Sequence, residues 1–321
     1  MKKVVLTTLA TIALSASSAL AADLPVKARP VVAPPPPAWD LAFGGSIASD
    51  YVFRGITQSN RKPSVGAYFE PRYNLNADWQ LYAGIAGASI SFPNRAAAEI
   101  DLYGGIRPTF GKLALDFGFI YYWYPGGQCF NTPALCGNAT AAALPINGNV
   151  IKKDVSFWEF YAKATYSISD ALAVGATIYY SPSVLNTGAS GVYYSVNAKY
   201  TAPAWGAITP SVSGEIGFWN LGTSDGFYGI PIGLPGGVPY KDYAHWNIGV
   251  SLAYKVLTLD LRYHDTNLSK GDCNAFTSDH TATTTGFITP INPAPGFGSK
   301  WCGAAFVAKL SVDATLNANI K

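Results

Sequence analysis

The chain has 321 residues, of which only 13% are charged and 14% are aromatic, and its formal net charge at pH 7 is +3. Soluble domains usually contain about 25% charged residues, so a water-soluble protein with this composition would be difficult to keep dispersed. The small net charge does not favour nucleic acid as a partner. After the N-terminal segment, no stretch has the ~18 uncharged apolar residues of a membrane helix, so a membrane form of this chain would be a β-barrel.

The N-terminus begins with two lysines, continues with an uncharged apolar run from Val4 to about Leu20, and reaches the small residues Ala19–Ala21. This order is typical of a signal peptide, so residues 1–21 are predicted to be removed during export. A transmembrane anchor would need a longer apolar run and a flanking charge. Residues 22–38 are rich in proline, which predicts an extended periplasmic tether. A partner-binding PxxP role is the alternative for this tether.

Segments of about ten residues that alternate apolar and polar side chains begin near Leu41 and continue to Leu316. In one of them, Glu99, Asp101 and Arg107 share a phase, and isoleucine and leucine occupy the other phase. Successive side chains of a strand point to opposite faces, so each segment predicts a strand with one polar and one apolar face. Twelve segments are interpreted as strands, near residues 40–54, 64–75, 79–92, 98–110, 112–124, 155–168, 171–181, 191–202, 206–219, 243–255, 257–267 and 302–316.

The links between these strands alternate in length. Short links fall at 76–78, 110–112, 169–170, 203–205 and 255–256, and longer links fall at 55–63, 93–97, 125–154, 182–190, 220–242 and 268–301. Outer-membrane barrels have short periplasmic turns and long external loops. The sequence therefore predicts an all-β fold, a transmembrane antiparallel β-barrel of about twelve strands in an up-and-down meander over residues 39–321. The expected location is a Gram-negative outer membrane, with membrane lipid and the barrel-assembly machinery as partners.

Aromatic side chains gather near both ends of the predicted strands. The external group is Tyr121–Tyr124, Trp158, Tyr179, Tyr180, Tyr193, Tyr194, Trp219 and Trp246, and the periplasmic group is Trp79, Tyr200, Trp205 and Tyr254. Such rings are favoured at the two lipid–water interfaces, so these residues are predicted to form two aromatic belts.

Four cysteines occur as two pairs, Cys129 with Cys136 and Cys273 with Cys302, and each pair falls in a predicted loop. An even number of cysteines behind a signal peptide predicts disulfides. A metal site is the weaker alternative, because neither pair has CxxC spacing or an accompanying histidine. No metal or other cofactor is expected.

The polar phase predicts which charged side chains face the inside of the barrel. The candidates for lining a pore are Asp50, Arg54, Glu70, Arg72, Glu99, Asp101, Arg107, Asp116, Glu159, Lys163, Lys199, Glu215, Asp260 and Arg262, and Lys309 and Asp313 share their phase. Acidic and basic groups are interleaved, and buried charges must pair or meet water.

Two interpretations of this charged face remain open. In the first, the charges line a narrow water-filled channel for passive diffusion of ions or small hydrophilic solutes. In the second, they form salt bridges that plug the barrel, and the external loops carry a structural or adhesive function. Eight-stranded barrels are filled by side chains and sixteen-stranded barrels leave a channel, so about twelve strands are compatible with both interpretations.

Three histidines, His245, His264 and His280, raise the alternative of a barrel-embedded hydrolase. His264 follows Asp260 and Arg262 on the polar phase. A Ser-His-acid site needs groups that converge in space, and no segment matches a nucleophile elbow. We therefore interpret His264 as a polar wall residue near the external rim and expect no enzymatic activity.

Four segments carry a family resemblance: Asp50–Gln58 followed by Pro63, Glu99–Gly105, Leu115–Gly126 and Trp158–Tyr161. In this order and spacing they resemble the TorF-like family of proteobacterial outer-membrane porins, closely over about residues 40–170 and loosely beyond. The resemblance implies an outer-membrane barrel with a channel function and no cofactor. It also implies that residues 50–55 continue the first strand at the external rim. The chain departs from the pattern in its long cysteine-bearing loops and in its C-terminus, which lacks an aromatic assembly signal.

Overall fold

The computed structural model describes residues 36–137 and 150–320. The predicted signal peptide, most of the predicted tether and the middle of the link at 125–154 lie outside these residues. The described chain forms twelve long antiparallel strands that close into a barrel. They are β1 (Trp39–Ala48), β2 (Ser64–Asn74), β3 (Trp79–Ala88), β4 (Glu99–Phe110), β5 (Leu113–Trp123), β6 (Phe157–Ser167), β7 (Leu172–Ser181), β8 (Gly191–Thr201), β9 (Thr209–Leu221), β10 (Tyr243–Tyr254), β11 (Leu257–Thr266) and β12 (Ala305–Thr315).

Each strand pairs with its neighbours in the chain, and β1 pairs with β12 to complete the ring. Ala42 of β1, for example, pairs with Glu70 of β2 on one side and with Thr315 of β12 on the other. A closed ring leaves no free sheet edge, so backbone donors and acceptors are satisfied between strands. The prediction of a twelve-stranded up-and-down antiparallel barrel is confirmed. None of the described helices has the length and apolar character needed to cross a membrane.

The two faces of the strands differ sharply in polarity. On β8, Tyr194, Val196 and Tyr200 are exposed on the outside, whereas Tyr193 and Ser195 point inward and are buried. The same alternation runs around the ring, so the apolar phase forms the outer surface and the charged phase faces the lumen. An apolar band on the outside of a closed barrel is the surface that lipid covers.

The strand links alternate in length, as the sequence predicts. Five short turns join the strands at one end of the barrel, and six longer loops join them at the other, which we call the long-loop end. These loops are loop 1 (residues 49–63), loop 2 (89–98), loop 3 (124–156), loop 4 (182–190), loop 5 (222–242) and loop 6 (267–304).

The long loops pack against one another and cover the long-loop end with a buried core. This core includes Phe92 of loop 2, Ile151 of loop 3, Val184 of loop 4, Tyr228 of loop 5 and Phe276 of loop 6. The loops also contain three short helices, α1 (Pro133–Cys136), α2 (Gly226–Gly229) and α3 (Lys270–Thr277). Of these, α2 and α3 contribute side chains to the core. We call this layer the cap. The main apolar core of the chain therefore lies in its loops, because the barrel strands turn their apolar side chains outward.

Both predicted disulfides are present and both lie in the cap. Cys129 is bonded to Cys136 in loop 3, and Cys273 of α3 is bonded to Cys302 near the start of β12. The second bond joins the two ends of loop 6, whose closure would otherwise carry a large entropic cost.

The first strand ends earlier than predicted. The alternation in sequence extends it to residue 54, and the family resemblance places residues 50–55 on it, but β1 ends at Ala48. The Asp50 carboxylate accepts hydrogen bonds from the hydroxyl groups of Thr57 and Ser59. These bonds fold the chain back into a loop, because side-chain acceptors of this kind compete with a strand ladder.

The predicted external aromatic belt is only partly correct. Trp123, Tyr180, Tyr194 and Trp246 are exposed on the outside of the barrel near the long-loop end. Four other members of the predicted belt are instead buried inside the barrel or the cap, namely Tyr122, Tyr124, Tyr193 and Trp219, and Tyr179 is partly buried against the same core. Neighbouring residues of a strand face opposite sides, so pairs such as Tyr179 and Tyr180 cannot both meet lipid.

The polarity of the two faces predicts the effect of adding a charge to each. Val196 lies at the middle of β8 and is 56% exposed on the outside, and the adjacent Asn197 is exposed to the lumen. We expect Val196→Arg to destabilise the barrel in lipid vesicles by about 2–4 kcal/mol, because an arginine at the bilayer midplane loses its hydration. Asn197→Arg is the matched control and should unfold at nearly the wild-type urea concentration. Equal destabilisation by the two substitutions would contradict the assignment of faces.

Candidate functional site

Loop 1 contains a short hairpin that enters the barrel from the long-loop end. Val52 and Phe53 pair with Thr57 and Ile56, and the turn between them consists of Arg54 and Gly55. Both turn residues have positive φ, 47° and 79° respectively, as two-residue hairpin turns require. Glycine adopts this conformation freely, whereas arginine does so at a cost. We call residues 52–57 the loop 1 hairpin.

The loop 1 hairpin crosses the bore of the barrel. Just before it, the Tyr51 hydroxyl donates a hydrogen bond of 2.5 Å to Glu99 on β4. At its turn, the Arg54 carbonyl accepts a hydrogen bond of 2.9 Å from the Tyr243 hydroxyl on β10. In a ring of twelve strands, β4 and β10 are six positions apart and therefore opposite each other. The hairpin consequently bridges the lumen from wall to wall.

The guanidinium of Arg54 is held by a carboxylate and several aromatic rings. Its two terminal nitrogens donate hydrogen bonds of 2.9 and 2.7 Å to the two oxygens of Glu159 on β6. The guanidinium carbon lies 4.2 Å from the ring centre of Tyr193, 4.4 Å from that of Trp219 and 4.9 Å from that of Tyr179. We call Glu159 and these three rings the Arg54 cage.

The Arg54 cage is closed to solvent. Arg54 is 7% exposed and Glu159 is 1% exposed. Burial by itself lowers the pKa of Arg54, but the adjacent Glu159 carboxylate more than offsets burial, and the net effect is a raised pKa. A charge-assisted bidentate pair with cation–π contacts is a strong interaction in such a dry environment.

Loop 1 is also fastened to loop 6. The Arg61 guanidinium donates hydrogen bonds of 3.2 Å to the backbone carbonyls of Trp301 and Gly303, and it forms an ion pair of 3.2 Å with Asp50. Asp50 is therefore a structural residue of the cap. The prediction that it lines the lumen wall is wrong. The reason is the early end of β1, which moves Asp50 into the loop.

Below the hairpin, one side of the lumen carries a network of paired charges. Glu70 accepts hydrogen bonds from Arg72 at 2.6 Å and from Arg107 at 2.8 Å. Arg107 also contacts Asp116 at 3.3 Å, and the Tyr82 hydroxyl donates to the same carboxylate. These predicted lumen residues are brought together by β2, β3, β4 and β5 and neutralise one another.

The opposite side of the lumen contains lysines without a partner. Asp260 and Arg262 pair at 3.0 Å on β11. Lys199 of β8 and Lys309 of β12 face the same region, and neither ammonium group forms a hydrogen bond or ion pair with any of the described residues. Arg262, Lys199 and Lys309 share Asp260 as their nearby acid, so this part of the lumen carries a net positive charge. Lys163 of β6 lies elsewhere, next to Asp116 of β5 in the register, with its ammonium nitrogen 4.5 Å from the ring centre of Tyr161.

Three further acidic groups occupy the wall near the hairpin. Glu99 accepts hydrogen bonds from the hydroxyls of Tyr51 and Tyr124, the latter at 2.7 Å, whereas Asp101 has an oxygen without a partner in the described part of the chain. Glu215 of β9 accepts a hydrogen bond of 2.8 Å from the Tyr193 hydroxyl. With these three, all predicted pore candidates except Asp50 and Arg54 lie on barrel strands with their side chains inward.

The histidines lie in three different environments. His245 is 3% exposed beneath the hairpin, with its Nε2 atom 3.0 Å from the Tyr193 hydroxyl. His264 is half-buried on the inner face of β11, as the sequence predicts for a wall residue. His280 of loop 6 packs edge-on against Trp301, and burial lowers the pKa of His280.

Sequence reasoning missed the residues that form the Arg54 cage with Glu159. The sequence predicts a lipid-interface position for Tyr179, Tyr193 and Trp219, because they are aromatic and lie near strand ends. Each of them shares the inward phase of its strand with polar residues such as Ser195 and Glu215. Strict application of period two would have placed these rings inside the barrel.

Comparison with known families gives one match over most of the chain. Residues 33–289 match the family described as "Bacterial protein of unknown function (Gcw_chp)". The chain belongs to this family. A search of curated protein sequences gave no match.

Solved outer-membrane proteins are among the structures to which this chain is similar. OmpT of Vibrio cholerae, as a loop L8 deletion mutant, has a TM-score of 0.36 and 11% identity, covering 87% of this chain and 100% of that one. The NanC porin has a TM-score of 0.40 and 7% identity, covering 85% and 98%. The toluene transporter TodX of Pseudomonas putida has a TM-score of 0.38 and 12% identity, covering 87% and 88%. Scores this low carry no argument about function.

The geometry of the Arg54 cage predicts a strong energetic coupling between its two charges. Removal of either partner leaves a buried charge without compensation, so Arg54→Ala and Glu159→Gln should each destabilise the protein by about 3–5 kcal/mol. The double variant should lose much less than the sum of the two. Urea unfolding in lipid vesicles measures all three variants. Asp260→Asn is the comparison, at a pair whose side chains are 19% and 20% exposed, and it should cost about 1 kcal/mol or less. Additive losses at Arg54 and Glu159 would show that the pair is not coupled.

Proposed function

We propose that this protein is a bacterial outer-membrane channel of the TorF-like type that lets ions or small hydrophilic solutes diffuse passively across the membrane. The observation that carries the proposal is a closed barrel with an apolar outer surface and a charged lumen, in which Lys199 and Lys309 are unpaired. A merely structural barrel would be more stable with paired or apolar groups at these positions. The proposal includes export by the signal peptide at residues 1–21 and the absence of an enzymatic activity and of a cofactor.

The loop 1 hairpin supplies the constriction of this proposed channel. It spans the lumen from β4 to β10 at the long-loop end, which is the external end in the proposed orientation. Solutes would pass only when the hairpin leaves the bore. Among the remaining predicted pore candidates, Lys199, Asp260 and Arg262 are partly exposed and form the wall below the constriction.

The unpaired lysines give the proposed channel a preference for anions. The acidic groups Glu70, Asp116 and Asp260 are each paired with an arginine. Lys199 and Lys309 both lie within electrostatic range of Asp260, but Arg262 already pairs with this carboxylate, so the group keeps a net positive charge. Pores favour anions when uncompensated positive side chains line them.

Release of the hairpin should increase conductance. We expect the wild-type protein in planar bilayers to open rarely and Arg54→Ala to show larger or more frequent conductance steps, because the hairpin loses its attachment to Glu159. Arg95→Ala is a matched control: Arg95 is also an arginine with positive φ in a long loop, but it is exposed and lies over Phe130 at 5.1 Å. Bilayers that stay silent with correctly folded wild type and Arg54→Ala would overturn the channel proposal.

Neutralisation of the unpaired lysines should change ion selectivity. We expect the double substitution Lys199→Gln/Lys309→Gln to shift the reversal potential in a KCl gradient towards cation preference, without loss of stability, since no ion pair is broken. Lys153→Gln, in an exposed part of loop 3, removes the same charge outside the lumen. At 0.1 M salt the Debye length is about 10 Å, so this control should leave the reversal potential unchanged. An unchanged potential in the lumen variant would show that these lysines do not set selectivity.

A second candidate function is a plugged barrel that acts through its external surface. The specific observation in its favour is the cap, whose core joins long loops 2 to 6 and contains both disulfides. Deletion of residues 279–298 of loop 6 would then abolish binding of the cell to a surface, while conductance stays absent in every variant. Conductance in Arg54→Ala argues against this alternative.

A further inference from the structure

All members of the Arg54 cage belong to the barrel wall. Glu159 lies on β6, and Tyr179, Tyr193 and Trp219 lie on β7, β8 and β9. These neighbouring strands belong to the closed hydrogen-bonded ladder, which opens far less readily than a surface loop. The cage therefore keeps its shape when Arg54 leaves it.

The carboxylate of the cage has a support of its own. The Tyr122 hydroxyl on β5 donates a hydrogen bond of 3.2 Å to Glu159. This bond holds the carboxylate in place but does not neutralise it. A buried carboxylate that loses its cation is strongly destabilised, so an empty cage favours any cation that fits its shape.

The present occupant is a side chain on a short and strained segment. Arg54 has a φ of 47°, and the strands on either side of the turn contain only two residues each. A non-glycine residue in this conformation stores backbone strain that the surrounding contacts have to offset. Release of the hairpin relieves that strain, which makes the occupant replaceable.

Space for a ligand exists beside the cage. A cavity of about 50 Å³ lies among the long loops, and Phe53 and Trp219, which both contact the Arg54 guanidinium, form part of its lining. The remaining lining is mostly apolar, with Gln58 and Thr187 among its few polar members. The cavity holds several water-sized groups, so the alkyl portion of a small solute fits next to the cage.

We infer that the Arg54 cage is a binding site for solutes that carry a guanidinium group, and that Arg54 is the internal occupant that such a solute replaces. A planar guanidinium forms two parallel hydrogen bonds to a carboxylate and stacks on aromatic faces, whereas a compact ammonium does not match this geometry. A bound solute would release the loop 1 hairpin from the bore. This release changes conductance only if the protein is a channel, so that part of the inference rests on the proposed function.

Calorimetry tests the site directly. Ethylguanidinium is titrated into folded Arg54→Ala in detergent micelles, and ethylammonium serves as the matched probe. We expect saturable binding of ethylguanidinium that is at least about tenfold tighter than that of ethylammonium, a difference of about 1.4 kcal/mol. The double variant Arg54→Ala/Glu159→Gln should lose this preference. Equal or absent binding of the two probes to Arg54→Ala would overturn the inference.

If Arg54→Ala does not fold, as judged by its mobility in unheated gels, Arg54→Lys replaces it. Lysine keeps Glu159 compensated but cannot form the bidentate pair, so ethylguanidinium should still bind more tightly than ethylammonium. Failure of this preference in folded Arg54→Lys would also overturn the inference.

Conductance separates this inference from the channel proposal. Ethylguanidinium should increase the open probability of wild type in a saturable way, with no comparable effect of ethylammonium, and Arg95→Ala should respond like wild type. If ethylguanidinium binds to Arg54→Ala but no variant conducts in bilayers, the result would support the binding site and overturn the proposed channel function. Conductance in Arg54→Ala with a wild type that ignores ethylguanidinium would show that solutes do not replace Arg54, and would overturn the inference alone.

Discussion

The pairing of β1 with β12 is the constraint on which the rest of the structure depends. Backbone groups in a lipid environment have no water to bond, so a sheet can reside there only as a closed ring. The register of Ala42 with Thr315 completes that ring. Closure then forces every strand to present one face to the outside of the barrel and the other to a shared interior. The distribution of charge, the location of the core and the position of the candidate site all follow from this division.

The interior must accommodate charges that the outer surface cannot accept. On one side, Glu70, Arg107 and Asp116 neutralise one another across β2, β4 and β5. On the other side, Lys199 and Lys309 are left to water. A lumen that combines a neutral network with uncompensated lysines is consistent with the proposed passage of small charged solutes. It also explains why the largest apolar core of the described chain is in the cap, since the strands have used their apolar side chains on the outside.

The loop 1 hairpin connects the cap with the barrel wall. It is tied to loop 6 through Arg61 and to the wall through Arg54, whose guanidinium meets Glu159 and the rings of Tyr193 and Trp219. A charge buried this deeply needs its partner, so the pair holds the hairpin across the bore. The same chemistry makes the cage suitable for a guanidinium from elsewhere. Closure of the proposed channel and recognition of a solute would then be two uses of one set of contacts.

Period-two patterning and local composition are enough to predict the twelve strands, their faces, the alternation of turns and loops and the two cysteine pairs, because these features depend on residues close together in the chain. They do not predict that β1 stops at Ala48, because the alternation of apolar and polar residues continues to residue 54. The strand ends early because the Asp50 side chain accepts hydrogen bonds from Thr57 and Ser59. Only the tertiary structure decided that Arg54, Glu159 and Trp219 meet. They lie on three elements distant in the chain, and closure of the ring brings these elements together.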